Sequence, residues 1–251
     1  MKSAIKNRAF TLAEVLITLG IIGIIAALTI PNIIAGYRKK VVETELKKAF
    51  SVSSQVIKLS EAFNESALYW KYPTEGSGSS TLGTQEAIQF SEKYIKPYLK
   101  YTSADKKNRK IFYSDGTTSY LTNYINKNLG FILPDGIFLQ FSPLAEKNHD
   151  RGYVILIYAG TTNKSKSKEF IEGQNFFTFT VNTNNNIGKV SLEPQWYLNW
   201  SCQKLKENPT TFIENCRKNT RETSGVSSSV YCTYMIYCNN WEIPDNYPIK
   251  F

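Results

Sequence analysis

Histidine, methionine and cysteine are scarce in this chain: His149 is the only histidine, and there are two methionines and four cysteines in 251 residues. No G-x-S-x-G, Walker loop, H-E-x-x-H or G-x-G-x-x-G pattern occurs. His149 sits beside Asp150 in a polar stretch with no third group to orient it, which reads as a surface residue. The carboxylates show no spacing that singles out a pair for acid–base work. No catalytic residue and no cofactor is therefore expected.

The cysteines are also absent from most of the chain. Cys202, Cys216, Cys232 and Cys238 all lie in the last fifty residues, separated by 14, 16 and 6 positions. Without a C-x-x-C element, and with His149 far away, this reads as two disulfides in an oxidising compartment and not as a zinc site. Three pairings are open. Acidic residues are outnumbered, 21 against 30 Lys and Arg, for a net charge of +9, of which Lys2, Lys6 and Arg8 supply three. The remaining basic residues are scattered, with modest clusters at Arg38–Lys40 and Lys106–Lys110. A 42% apolar and 14% aromatic content supports a packed core, and the abundance of Tyr and Phe favours sheet.

Charge is missing most conspicuously near the start. From Phe10 to Ala35 there are 26 residues, and Glu14 is the only charge. As a helix this run spans about 39 Å, enough to cross a bilayer with some tilt. It is too long for the apolar region of a secretory signal peptide, and the small residue Ala9 precedes it instead of following it. Lys2, Lys6 and Arg8 favour a cytoplasmic N-terminus, although Arg38, Lys39 and Lys40 on the far flank weaken that asymmetry. A carboxylate within a membrane span costs roughly 2.5–3.5 kcal/mol on insertion scales, so Glu14 is expected to serve a partner.

The segment A-F-T-L-A-E-V-L-I-T-L-G-I-I-G-I-I-A-A-L-T-I-P, from Ala9 to Pro31, resembles the N-terminus of type IV pilins and type II secretion pseudopilins. The resemblance implies cleavage between Ala9 and Phe10 by prepilin peptidase and N-methylation of Phe10. It also implies an assembly contact at Glu14 with the terminal amine of a neighbouring subunit. Pro31 falls where such chains carry a helix-disturbing proline, and Gly20 and Gly23 offer close-approach surfaces. Ala9 departs from the glycine usual before the cut, which bears on cleavage efficiency. The implied partners are prepilin peptidase, other pilin or pseudopilin subunits and an inner-membrane assembly platform. The implied location is the bacterial inner membrane, single pass, with the head periplasmic or extracellular.

Beyond the span, apolar residues from Val41 to Ala67 follow a helical period. Val42, Leu46, Ala49, Phe50, Val56, Ile57, Phe63 and Ala67 share one face, with Glu45 near its rim. Glu43 and Lys47 are spaced as an i,i+4 pair. Thr74–Thr84 reads as a loop, and Gln85–Lys100 as a short helix with Pro97 near its end. Phe131–Leu133, the turn Pro134-Asp135-Gly136 and Ile137–Phe141 predict a hairpin, and this segment also resembles pseudopilin heads. Tyr153–Tyr158, apolar on both faces, predicts a central strand. Phe176–Val181 and Lys189–Leu192 predict a second hairpin. The family that the N-terminus resembles often has an Asp/Asn/Gly-rich loop after its penultimate strand, sometimes a calcium site. Here the matching stretch, 159–169, holds one acid among three lysines, so no tight calcium site and no other metal is expected.

Asn208-Pro209 starts a helix running through Cys216, and Val230–Ile236 forms a further short element. If Cys232 and Cys238 share a helix they face apart, which favours links from the Cys202/Cys216 half to the Cys232/Cys238 half.

The expected fold class is α+β: a long N-terminal helix packed on an antiparallel head of four or five strands, with a disulfide-containing C-terminal region. The expected organisation is a leader over 1–9, an assembly helix over 10–36, its amphipathic continuation over 37–72, a head over 73–195 and the cysteine region over 196–251. These features point to a structural pilin-like subunit, minor more than major. The alternative is a membrane-tethered protein whose basic head, through Lys106–Lys110, Lys164–Lys168 and its tyrosines, binds DNA or a surface glycan.

Overall fold

The computed structural model describes residues 11–74, 81–106, 109–144, 154–161, 169–184, 189–193, 201–217 and 227–251. The chain divides into two compact units, Met1–Lys39 with Phe251, and Lys40–Lys250. Helix α1 runs from Leu12 to Asn64. In its later part Val42, Leu46, Ala49, Ser53, Val56 and Ser60 are buried at alternating steps of four and three, the spacing of one helical stripe. Ser53 and Ser60 belong to this stripe and were absent from the apolar face read from the sequence. Phe63 does not belong to it: 76% exposed, it stacks on Tyr98 with ring centroids 5.7 Å apart. The helix also stops short of Ala67. Glu65 takes a left-handed φ of 65°, and Asn64 Nδ2 donates to the Ser60 carbonyl at 3.2 Å and to Tyr98 Oη at 2.7 Å. Ala67 is buried all the same, in the 3-10 turn Ala67–Tyr69.

Helix α2 is Thr81–Tyr94, followed by a 3-10 turn at Lys96–Tyr98. It therefore starts inside the segment read as loop, and ends before Pro97. The strands are β1 Ser103–Asp105, β2 Lys110–Phe112, β3 Gly130–Ile132, β4 Phe138–Pro143, β5 Val154–Gly160, β6 Glu169–Ile171, β7 Phe176–Asn184 and β8 Lys189–Glu193. Six of them form one sheet in the order β1-β3-β4-β5-β7-β8, antiparallel throughout. The sheet is longer than the four or five strands expected. The turn between β3 and β4 is closed by Gly136 N–H donating to Leu133 O at 2.9 Å, with Gly136 at a φ of 92° that glycine adopts without a Cβ penalty. β5 is internal, and Ile155, Leu156, Ile157, Tyr158 and Ala159 are all buried, so both faces are covered. On the face bearing Leu156 and Tyr158, helix α3 (Leu121–Ile125) and the parallel pair β2–β6 complete a cluster of Ile111, Leu121, Phe138, Phe170 and Phe176. On the other side of β7, Phe179 meets Phe50 of α1 edge-on at 5.4 Å.

Among the described residues three helices follow: α4 Cys202–Glu207, α5 Pro209–Arg217 and α6 Ser228–Cys238. Ser228 to Ile236 are buried without interruption, so α6 is enclosed on all sides. β8 pairs with β7 only from Thr180 onward, and α6 serves the earlier stretch: Thr178 N–H donates to Thr233 Oγ1 at 3.2 Å. A helix thus covers an exposed strand edge and accepts its unpaired donor. Disulfides join Cys202 to Cys238 and Cys216 to Cys232, each tying α6 to one of the two preceding helices. Gly173 makes this packing reachable. It has a φ of +75°, and a Cβ there would meet Cys232 Sγ at 2.4 Å.

Candidate functional site

The first turn of α1 is organised around Glu14. Thr11 precedes the helix, and its N–H donates to Glu14 Oε2 at 2.8 Å while its hydroxyl donates to the same oxygen at 2.9 Å. Thr11 Oγ1 also accepts from Glu14 N–H at 3.2 Å. This is a reciprocal capping box, in which two otherwise orphaned backbone donors are satisfied by two side chains three residues apart. The carboxylate also lies at the positive end of the helix, where a negative charge is favoured.

Further along, the chain leaves little polarity unpaired. Thr18 donates to Val15 O at 3.0 Å and Thr29 to Ile25 O at 2.9 Å, so both hydroxyls are spent on the helix's own carbonyls. Leu16, Ile17, Leu19, Ile22, Ile24, Leu28 and Ile33 are all at least half exposed. Pro31 lies within the helix and supplies no N–H to the carbonyl four residues before it. No neighbour lies within 4 Å of a Cβ built at Gly20 or Gly23. The helix is long and apolar enough to cross a membrane. Within the apolar run from Phe10 to Ala35 the one charged side chain is Glu14, whose carboxylate retains acceptor capacity beyond Thr11. Ala9 and Phe10 lie outside the described residues.

Two further carboxylates hold the head together, and neither was apparent from the sequence. Glu172, fully buried, accepts from the Ser119 hydroxyl on Oε1. Its Oε2 accepts from Ser227 Oγ at 2.5 Å, Ser228 Oγ at 2.6 Å and Ser229 N–H at 2.8 Å. It thereby sits on the N-terminus of α6, with Ser119 anchoring it to the start of α3. Glu43 is also buried. It accepts from Ile243 N–H at 2.8 Å and pairs with Lys40 at 3.1 Å, fastening the C-terminal tail to α1. The i,i+4 pair expected with Lys47 is replaced by this i,i+3 pair, because Glu43 faces the tail. Glu43 and Glu242 beside Lys40 raise its pKa above the usual lysine value. Burial pushes the Tyr158 and Tyr247 hydroxyls well above the usual tyrosine range.

The other residues singled out in the sequence are not brought together. His149, Asp150, Lys107 and the stretch 162–168, with Lys164, Lys166 and Lys168, lie outside the described residues. Among the described residues no group of three His, Cys, Asp or Glu side chains is placed to hold a metal ion.

Comparison with known families divides the chain at the same place as its chemistry. Residues 5–30 match the model of the prokaryotic N-terminal methylation motif, which takes in Ala9, Phe10 and Glu14. The start of the chain is that of a type IV pilin-like protein processed by prepilin peptidase. Residues 32–251 match the model of a family of unknown function, DUF6613. The chain belongs to the DUF6613 family. For this DUF6613 member, no curated protein and no solved structure matches. The family region takes in the outer half of α1, the sheet and the disulfide-bonded helices, so the buried Glu43 and Glu172 both fall within it.

Proposed function

We propose that this chain is a minor, pilin-like structural subunit of a type IV pilus or a type II secretion pseudopilus. Prepilin peptidase removes residues 1–9, and Phe10 becomes the methylated N-terminus. Residues 10–36 hold the subunit in the bacterial inner membrane, with the N-terminus cytoplasmic and the head on the far side. An inner-membrane assembly platform then passes it into a filament, where Glu14 receives the terminal amine of a neighbouring subunit.

The observation that carries this reading is the isolation of Glu14. It is the only charge from Phe10 to Ala35, a stretch whose Thr18 and Thr29 hydroxyls are spent on the helix's own carbonyls, and it sits one turn from the motif's cut site. Opposite charges attract strongly where water is excluded, so a newly formed ammonium is the partner this carboxylate suits. The disulfide-bonded C-terminal region supports an oxidising location for the head. The size of that region, beyond the sheet, supports a specialised subunit over a repeating one. The test is N-terminal mass spectrometry of the mature protein together with incorporation of Glu14→Ala. A mature chain that begins at Met1, or a mutant that enters filaments as well as wild type, overturns the proposal.

A further inference from the structure

A cleft of about 560 Å³ opens on the head where four pieces of chain converge. They are the turn at Ser114-Asp115 after β2, Gln174 after β6, Arg217 at the end of α5, and the tail at Ile249-Lys250. The volume lies in the usual range for small-molecule sites.

Its walls are fixed by contacts that leave the functional ends of the side chains available. Ser114 Oγ donates to the carbonyl of Arg217 at 2.7 Å, and Gln174 Nε2 donates to the carbonyl of Lys250 at 2.7 Å. Tyr247 Oη donates to Gly173 O at 2.5 Å, holding the tail against the turn that carries Gln174. Arg217 directly follows Cys216, whose disulfide to Cys232 anchors that end of α5. Among the described residues, neither the Arg217 guanidinium nor the Lys250 ammonium has a carboxylate within ion-pair distance.

The third charge decides what kind of ligand fits. Asp115 Oδ1 accepts from Thr117 N–H at 2.8 Å and Thr117 Oγ1 at 2.6 Å, bonds that hold its pKa below the usual aspartate value. Asp115 stays ionised and keeps acceptor capacity for a donor from outside. A simple anion gains from the two cations but loses to this carboxylate. A ligand with one carboxylate and several hydroxyls gains from all three, because Asp115, Gln174 Oε1 and the Ser114 lone pairs accept from hydroxyls. Arg217 offers a planar fork for the carboxylate. Ile171 and Ile249 supply an apolar patch for the ring's C–H face. Among the described residues no aromatic side chain lines the cleft, so these walls offer no platform for stacking nucleobases. We infer that this cleft binds a monoanionic acidic sugar of the uronic or sialic type.

The test uses the full-length protein in a non-glycosidic detergent. Methyl glucuronide is titrated by saturation-transfer NMR, against methyl glucoside as the neutral isostere and acetate as the bare anion. The inference expects saturable glucuronide binding, at least about tenfold tighter than either control, the cost of losing one charge-assisted pair. Arg217→Gln should weaken it by about tenfold and Lys250→Gln by a smaller factor, with unchanged melting temperatures. Asp115→Asn should weaken glucuronide and leave acetate unchanged or tighter. No saturable binding by about 50 mM, acetate binding as tightly as glucuronide, or glucuronide binding indifferent to both cation substitutions would each overturn it.

Discussion

Glu172 offers the sharpest quantitative test of how the head is built, because its carboxylate receives four donors and sees no cation at close range. In Glu172→Ala all four donors lose their acceptor. Ser229 N–H keeps a long alternative in Ser227 Oγ at 3.3 Å, and Ser227 Oγ keeps Ser229 Oγ at 2.8 Å. The Ser119 and Ser228 hydroxyls have no such substitute, and each buried unsatisfied group costs about 1–3 kcal/mol. Loss of a negative charge at the start of α6 adds about 0.3–1 kcal/mol, and the vacated methylenes leave a small cavity. Relief of the buried charge offsets part of this, for a net loss of about 3–5 kcal/mol.

Glu172→Gln is the discriminating partner. Its amide oxygen can keep two of the three donors on the Oε2 side while Ser227 Oγ turns to Ser229 Oγ, and its NH₂ can donate to Ser119 once that hydroxyl turns to accept. Only the charge-assisted share is lost, about 1–2 kcal/mol. At about 2–4 °C per kcal/mol for a protein of this size, Ala should lower the melting temperature by about 6–20 °C, and Gln by about 2–8 °C. Thermal melts of the full chain in detergent with disulfides intact provide the measurement. Hydrogen exchange should place the excess opening in Ser228–Cys238 before the inner strands β4 and β5. The reasoning fails if Gln is as damaging as Ala, or if Ala costs under about 1 kcal/mol.

Four other outcomes are expected. Glu14→Ala should leave membrane insertion intact, or improve it, while filament incorporation measured by shearing and immunoblot falls severely. Gly173→Ala should destabilise the head by more than about 1–2 kcal/mol, since a left-handed φ and a Cβ 2.4 Å from Cys232 Sγ both oppose it. Cys216→Ser with Cys232→Ser opens a 16-residue link, worth about 3 kcal/mol of chain entropy, and should show as a lower denaturant midpoint. The Ser114–Thr117 turn should loosen on acidification. Asp115 has a folded pKa below its unfolded one, so its contribution is present above the unfolded value and lost as pH falls through the folded value, a change readable from the Thr117 amide shift.

The elements that were legible in the sequence are those whose information lies along one segment. The strand Tyr153–Tyr158 is apolar at successive positions because both faces of β5 are covered, and a continuous apolar run records that directly. Pro134-Asp135-Gly136 prescribes its own turn, since only glycine adopts the φ of 92° cheaply. The six-residue spacing of Cys232 and Cys238, which face apart on one helix, favoured links back to Cys202 and Cys216, and the bridges run Cys202–Cys238 and Cys216–Cys232. What was not legible is set by partners distant in the chain. Ser53 and Ser60 look like polar interruptions of a stripe, yet both are fully buried in it. β2 and β6 are three residues each and 57 positions apart, too short to show a period and too far apart to show a hairpin. Phe63 fitted the apolar face by angle alone, but α1 ends one residue later and the surface it finds is the side of Tyr98.

The same distinction explains why Glu14 stood out and Glu172 did not. Both are carboxylates in apolar surroundings, but Glu14 is alone within a run of 26 residues, so the anomaly is local and visible. Glu172 lies between Ile171 and Gly173 in ordinary company, and its three serine hydroxyls come from positions 53, 55 and 56 residues away. Its satisfaction is internal and complete, with four donors on two oxygens. Glu14 meets donors only from Thr11 and remains exposed. A carboxylate fully paired within its own chain is a fastening, and one with spare capacity in a place where water is scarce invites a second molecule. That difference in leftover hydrogen-bonding capacity, more than burial or charge, separates Glu172, a fastening of the head, from Glu14, the carboxylate proposed above to serve assembly. It also explains why the Ser227-Ser228-Ser229 run belongs with Glu172: the Ser227 and Ser228 hydroxyls and the Ser229 N–H share Oε2, so removing the Ser228 hydroxyl alone should cost less than removing the carboxylate, which disconnects all three.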